Sequence, residues 1–254
     1  MTACVAEIFR HPLKAIGREA LAAVQLAPGE ALPWDRAFAI AHEMSRPDDL
    51  AQPWAKKANF LRGVTGPALM AVSCTFDPAT LQLRLSHPRL ADLDIYLGKQ
   101  QDEAPLIEWL SQIWPDDAPA PTRLIHHKGT AQTDVPEPWI ALNSLASHAQ
   151  VAEKLGAADL SIHRWRGNIW LDGLEPWAEF DWIGRNIRVG AAVLRVEQRI
   201  TRCKATMANP LTGQRDLDTL SALESAWGHT DFGVYAEVVQ GGSIQPGDAI
   251  EVIK

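Results

Sequence analysis

Cys203 is the residue of this 254-residue chain whose setting most clearly invites chemistry. It stands in Ile200-Thr201-Arg202-Cys203-Lys204-Ala205-Thr206, between two cations. Neighbouring positive charge favours the thiolate, the form that ligates metals and attacks electrophiles. The competing reading is a small buried hydrophobe, which is how Cys4 and Cys74 are read. In a regular strand, residues two apart share a face, so Arg202 and Lys204 would point away from Cys203. The thiolate argument therefore needs the strand to end or bend here, or other cations to come across to the sulfur.

A second group precedes it, in Ile162-His-Arg-Trp-Arg-Gly-Asn-Ile-Trp-Leu. Read as a strand, this segment puts Arg164, Arg166 and Asn168 on one face and Trp165, Gly167 and Ile169 on the other. Two guanidinium forks and an amide in a row suit phosphate or carboxylate oxygens. An exposed edge strand with solvated arginines fits the same pattern. Lys14 and Arg36 fall beside predicted strand ends, where side chains can converge on a ligand. Ser144 is placed as the N-cap of a helix running to Leu155 and stopped by Gly156, and such a helix start offers free N–H groups to an anion. Other chemistries lack their signatures: there is no G-x-S-x-G elbow, no Gly-rich phosphate loop and no H-E-x-x-H helix. His126-His127 would face opposite ways on a strand, and Asp48-Asp49 and Asp116-Asp117 sit in predicted loops.

The elements that must position these residues are mostly strands. Alternation or short apolar runs predict strands at Cys4–Arg10, Ala20–Leu26, Ala37–Ala41, Leu69–Phe76, Leu81–Leu85, Arg123–Lys128 and Pro138–Asn143. Beyond the 162–171 segment, Arg185–Val189 and Ala191–Glu197 lead to Cys203, and residues 232–252 read as two strands around a turn. Helices are predicted around Trp54–Arg62, at Leu106–Ile113, after Ser144 and at Asp216–Ala226. The proline-rich Trp114–Thr122 is the best linker, which puts a boundary near residue 120. No strand–helix alternation suggests a parallel doubly wound sheet. The predicted fold is mainly β with a few helices, in two parts, 1–120 and 121–254.

Composition narrows the function classes. The net charge of −7 argues against wholesale binding to nucleic acid or an anionic membrane. Between Ser161 and Arg215, however, nine Lys/Arg face five Asp/Glu, while the rest of the chain has fifteen against twenty-six. A basic island in an acidic chain suits a small anionic ligand, and a solvated basic face is the plainer alternative. Three scattered cysteines exclude a disulfide framework and point to a reducing compartment. The N-terminus has no signal-peptide pattern, and no apolar run approaches the roughly eighteen residues of a membrane span. The expectation is a cytoplasmic protein. Ten tryptophans, several beside charge or proline, are read as core and domain-interface packing.

These motifs, in this order, resemble a known family. His11-Pro-Leu-Lys14 followed by Asp35-Arg36-Ala-Phe-Ala-Ile is similar to the N-terminal β-barrel segment that accompanies MOSC domains. Arg164-Trp-Arg166-Gly-Asn168-Ile, Trp182-Ile-Gly184, and Arg202-Cys203-Lys-Ala-Thr206-Met-Ala-Asn209-Pro-Leu-Thr-Gly213 resemble the MOSC domain itself. Phe232-Gly-Val-Tyr235, Gly242-Ser-Ile and Pro246-Gly-Asp248 resemble its closing strands. The resemblance implies an N-terminal β-barrel domain and a C-terminal MOSC β-barrel domain. It relates the chain to the C-terminal part of molybdenum cofactor sulfurases and to amidoxime-reducing components. By the motif match, Cys203 would ligate the molybdenum of a pyranopterin cofactor. Lys14 and Arg36 would contact its phosphate, and Arg166 and Asn168 would line the pterin site, with Arg164, Ser144 and Arg202 as neighbours. The implied activity is reduction of N-hydroxylated or related small-molecule substrates. The alternative is a sulfur or cofactor carrier that uses Cys203 without redox turnover. Three features depart from the family pattern. Ile200-Thr201 stands where a small or cysteine residue often precedes the Arg-Cys pair, and Ala15 follows Lys14 where serine is common. The chain ends at Lys254 without a cysteine-clustered ferredoxin domain, so electrons are expected from a separate protein.

Overall fold

Turn-bounded apolar runs build the architecture of the protein, seen in a computed structural model that describes residues 3–253. In chain order the strands and helices are β1 (Cys4–Arg10), β2 (Glu19–Ala20), β3 (Val24–Leu26), β4 (Phe38–His42), α1 (Pro47–Leu50), β5 (Ser73–Asp77), β6 (Gln82–His87), β7 (Leu90–Tyr96), α2 (Gln100–Ser111) and β8 (Pro121–His126). They continue with β9 (Ile140–Ser144), α3 (Leu145–Leu155), β10 (Ile169–Asp172), β11 (Asn186–Val189), β12 (Ala192–Thr201), α4 (Thr219–Trp227), β13 (Asp231–Gln240), β14 (Gly242–Ile244) and β15 (Ile250–Ile253). The fold is mainly β, as predicted. Among the described residues, no helix is long and apolar enough to cross a membrane.

Eight strands form one curled, half-barrel sheet in the order β15-β11-β12-β13-β9-β10-β1-β2. Its pairs are antiparallel except β9 with β10. One face buries Val5, Ile8, Leu142, Ile169, Leu194, Val196, Val234 and Ala236. A second core lies under β4, β5, β6 and α2, around Leu13, Phe38, Leu69, Leu85, Leu106 and Trp114. Each fully buried large apolar side chain contributes about 2 kcal/mol relative to exposure, so these two clusters carry most of the driving force. Strand pairing crosses residue 120 in both directions: β8 pairs with β4, and β1 pairs with β10.

Several elements differ from the sequence-based expectation. The predicted strand at Ala20–Leu26 is split, because β2 pairs with β1 while β3 pairs with β14. The predicted helix around Trp54–Arg62 is only a 3-10 turn at Lys57–Asn59. There the Asn59 side chain bonds Asp49, the Lys56 carbonyl and the Arg46 N–H, and such side-chain bonds compete with helix formation. Leu69–Ala71 belongs to a buried 3-10 turn begun by Pro67, and only Ser73–Asp77 is strand. α2 starts earlier than predicted and contains Pro105. β7 was not predicted, although Ala91, Leu93 and Ile95 alternate with Asp92 and Asp94 along it. It is held to β6 partly by Arg84, whose guanidinium bonds Asp92 and Asp94 across the strands. The end of the chain forms three strands rather than two.

The largest correction falls on Ile162–Leu171. Ile162–Trp165 is a 3-10 turn, Arg166 is left-handed at φ 50°, and β10 begins only at Ile169. A non-local contact decides this. Trp165 is buried and stacks on Phe232 of β13 at 3.9 Å between ring centroids. A flat strand through 162–168 would expose Arg164 and Arg166 side by side; the turn sends them to different places.

Candidate functional site

β12 ends at Thr201 and the chain leaves the sheet. Cys203 is extended (φ −122°, ψ 174°) and N-caps a 3-10 turn at Lys204–Met207. Its thiol is exposed, unlike buried Cys74. The strand therefore does end where the thiolate argument needed it to.

Arg202, the residue before it, is a clamp. Its guanidinium donates to the carbonyls of Phe232 (2.8 Å) and Trp165 (2.7 Å) and to the side-chain oxygen of Asn143 (3.0 Å). It thus ties β13, the 3-10 turn and β9 together behind Cys203. Arginine can only donate, so Asn143 must turn its oxygen toward Arg202. The Asn143 amide nitrogen is left buried without a partner. Two glycines make room for that amide. A Cβ on Gly167 would lie 2.1 Å from its nitrogen, and one on Gly233 would lie 2.1 Å from its oxygen.

Arg36 and Arg166 meet across the two halves of the chain. Both adopt left-handed backbone, at φ 52° and 50°. That costs each about 1 kcal/mol, a strain typical of places where geometry serves a purpose. One Arg36 nitrogen donates to the Arg166 carbonyl at 3.0 Å, and another pairs with Asp35. Asp35 is buried and also accepts from the backbone N–H of His11. Arg166 itself reaches the carbonyls of Gly17 (3.0 Å) and Leu13 (3.4 Å). Lys14 is buried and donates to the Gln132 carbonyl (2.8 Å) and to the Asp134 carboxylate (2.6 Å).

The charges are unevenly matched. Among the described residues, Lys14 and Arg36 have carboxylate partners, whereas the contacts of Arg166 and Arg202 are with carbonyl or amide oxygens. Burial pushes the Arg166 guanidinium down to about 9, with the Arg36 charge adding to it. Burial likewise pushes Arg202 down to about 10. Taking a cation out of water without a counter-ion costs several kcal/mol. Arg202 lies within electrostatic reach of the exposed Cys203, whereas Arg166 stands among Arg36, Asp35 and Arg18. Two buried cations without a direct carboxylate partner favour an anion nearby.

The remaining predicted residues diverge from this centre. Arg164 is buried and pairs with Asp216 at 2.8 Å, and it also bonds the Met207 carbonyl. Asn168 is buried and spans two strands, accepting from the Ala141 N–H and donating to the Phe9 carbonyl. Ser144 is buried and caps α3 by accepting from the Ser147 N–H, as the cap rule predicted. Arg164, Arg166 and Asn168 thus form no common row.

Two residues were missed. Tyr235 on β13 packs against Trp139 at 5.8 Å and lies within electrostatic reach of Asp134, Arg202, Arg36 and Cys203. Burial raises its phenol above the usual range. Its position on the strand next to β12 was the available signal. Asp134 bridges Lys14 and, at 3.7 Å, Lys57 from a segment without regular structure, where no periodicity could reveal it.

The MOSC domain model matches residues 131–251. This chain carries a MOSC domain. The matched segment holds Cys203, Arg202, Arg166, Arg164, Asn168 and Ser144, while Lys14 and Arg36 lie before it. MOSC domains are associated with molybdenum cofactor binding. Among solved structures, the chain is similar to YuaD of Bacillus subtilis, at 13% identity over 99% of this chain and 96% of that one, with a TM-score of 0.47. It is also similar to YiiM of Geobacillus stearothermophilus, at 22% identity, and to YiiM of Escherichia coli, at 18%. Those two matches cover 45% of this chain and 54% of theirs, with TM-scores of 0.35 and 0.34. No curated protein matches the sequence.

Proposed function

We propose that the protein binds a molybdenum–pyranopterin cofactor with Cys203 as the metal ligand. In this reading it reduces N-hydroxylated or related X–O small molecules with electrons from a separate redox protein. The observation that carries this reading is Arg202, a buried cation without a carboxylate partner directly before the exposed Cys203 and within electrostatic reach of it, with Arg166 a second such cation at its contact with Arg36. The residues fit the group. A thiolate suits a soft metal, and unmatched guanidinium groups suit a phosphate-bearing ligand. Among the described residues, no three His, Cys, Asp or Glu side chains cluster as a metal site. In this reading the cofactor supplies the other ligands of a metal on Cys203.

The chain's own residues have distinct tasks in this reading. Arg202 holds the strand end that presents Cys203. Arg166 and Arg36, with Lys14 behind them, hold the anionic part of the cofactor across the two halves of the chain. Tyr235 offers a phenol close to the cysteine. Bound there, the cofactor supplies two-electron redox chemistry. Overall, an N–OH group would take up two electrons and two protons, giving N–H and water. Three free cysteines suit a reducing cytoplasm.

Protein purified from a host that makes the cofactor, given an artificial electron donor and benzamidoxime, is expected to release benzamidine. No turnover by molybdenum-loaded protein would reject the reductase reading. The exposure of Cys203 also suits a sulfur carrier. Cyanide-releasable sulfur on Cys203 in protein that holds no molybdenum would select that alternative.

A further inference from the structure

A cleft of about 510 Å³ opens directly after Cys203, between the Lys204–Met207 turn and the start of α4. That volume lies within the roughly 300–1,000 Å³ typical of small-molecule sites. Val64, Met207 and Leu220 supply its apolar wall, and Lys204 and Arg215 supply two cations. Both cations are exposed. Arg215 spends one guanidinium nitrogen on the Val64 carbonyl (2.6 Å), and among the described residues Lys204 has no ion-pair partner. The one carboxylate of the cleft, Asp218, lies within electrostatic reach of Lys204. Its two oxygens accept from the N–H and the hydroxyl of Ser221 and cap α4.

The walls are fixed relative to Cys203. Thr206 donates to the Cys203 carbonyl at 3.1 Å and meets the Thr219 hydroxyl at 2.6 Å, tying the turn to the first residue of α4. A backbone bridge from Ala208 to Arg215 anchors the other cation. A fixed cleft with an apolar wall and two cations against one carboxylate favours an anionic guest.

We infer that this cleft is a recognition subsite for organic anions, a carboxylate on an apolar body. The carboxylate sits between Lys204 and Arg215, and the body lies against Val64, Met207 and Leu220. Resting on the reductase reading, this makes the preferred substrates of the Cys203 centre acidic ones.

Benzoate and its neutral counterpart benzamide test the subsite directly, by ligand-observed NMR on the purified protein with or without metal. Benzoate is expected to bind saturably, to weaken as salt rises, and to bind at least about fivefold more tightly than benzamide. Arg215→Gln should lower benzoate affinity by about fivefold. Leu220→Glu should abolish it, and that substitution places an acid in the first turn of α4, where the helix dipole favours it. Absence of benzoate binding, equal binding of benzamide, or indifference to both substitutions overturns the subsite. In molybdenum-loaded protein, 4-carboxybenzamidoxime should show a lower KM than benzamidoxime, and Arg215→Gln should erase that difference. If neither compound is reduced, the reductase reading fails while the benzoate result still decides the subsite.

Discussion

Arg166 and Arg202 are both arginines without a carboxylate partner, yet they do different things. Arg202 spends its donors on three acceptors in three elements, so it belongs to the frame. Arg166 makes only two carbonyl contacts and stands near the like charges of Arg36 and Arg18. Replacing such a cation by an apolar side chain of similar length removes repulsion and a desolvation cost. Arg166→Met is therefore expected to leave the metal-free protein as stable as the wild type, or up to about 2 kcal/mol more stable, in urea unfolding. The same variant should lose most of its bound cofactor. A loss of stability above about 2 kcal/mol would instead make Arg166 a structural residue.

Packing against Asn143 sets the geometry behind the cysteine. Gly233 has φ 73°, and a Cβ there would meet the Asn143 oxygen at 2.1 Å and the Leu142 carbonyl at 2.5 Å. Gly233→Ala should cost about 3 kcal/mol from backbone strain and overpacking together, read as a lowered urea midpoint with an unchanged slope. An effect below about 0.5 kcal/mol would mean that the β9–β13 contact yields easily, against the rigid clamp described above. What could be read in advance at this scale follows from how local each signal is. The Ser144 cap and the Gly156 stop obey rules that span a few residues, and both appear where expected. The end of β12 at Cys203 was posed as a condition and is met. The 162–168 segment misled because its polar alternation is also what a 3-10 turn followed by a left-handed arginine produces. The contact that settles it joins Trp165 to Phe232, far away in the chain. Asp134 and Tyr235 were hidden for the same reason, since only the fold brings them to the cations.

For the whole molecule, one buried acid sets a pH dependence. Glu179 is fully buried against the Ser147 hydroxyl at 2.8 and 2.9 Å, near the start of α3. Burial raises its carboxyl from 4.5 to about 7. The folded state then holds more protons than the unfolded state between those values, so stability falls as pH rises through that window. Glu179→Gln keeps a neutral side chain at every pH. It is expected to flatten the decline, leaving the variant about 3 kcal/mol more stable relative to wild type at pH 8 than at pH 4. Parallel pH curves for the two proteins would show that Glu179 does not titrate in this range. The molecule as a whole is arranged so that its N-terminal cations meet the part beyond residue 120, Arg36 at Arg166 and Lys14 at Gln132 and Asp134, with Cys203 just past the end of β12. The claim that this arrangement holds a molybdenum cofactor is tested most directly by metal analysis. Wild type and Cys203→Ser, purified from a host that makes the cofactor, are compared for molybdenum per chain. The account predicts about one molybdenum in the wild type and almost none in a folded Cys203→Ser protein. A folded wild type without molybdenum, or a Cys203→Ser variant that keeps it, would contradict the account.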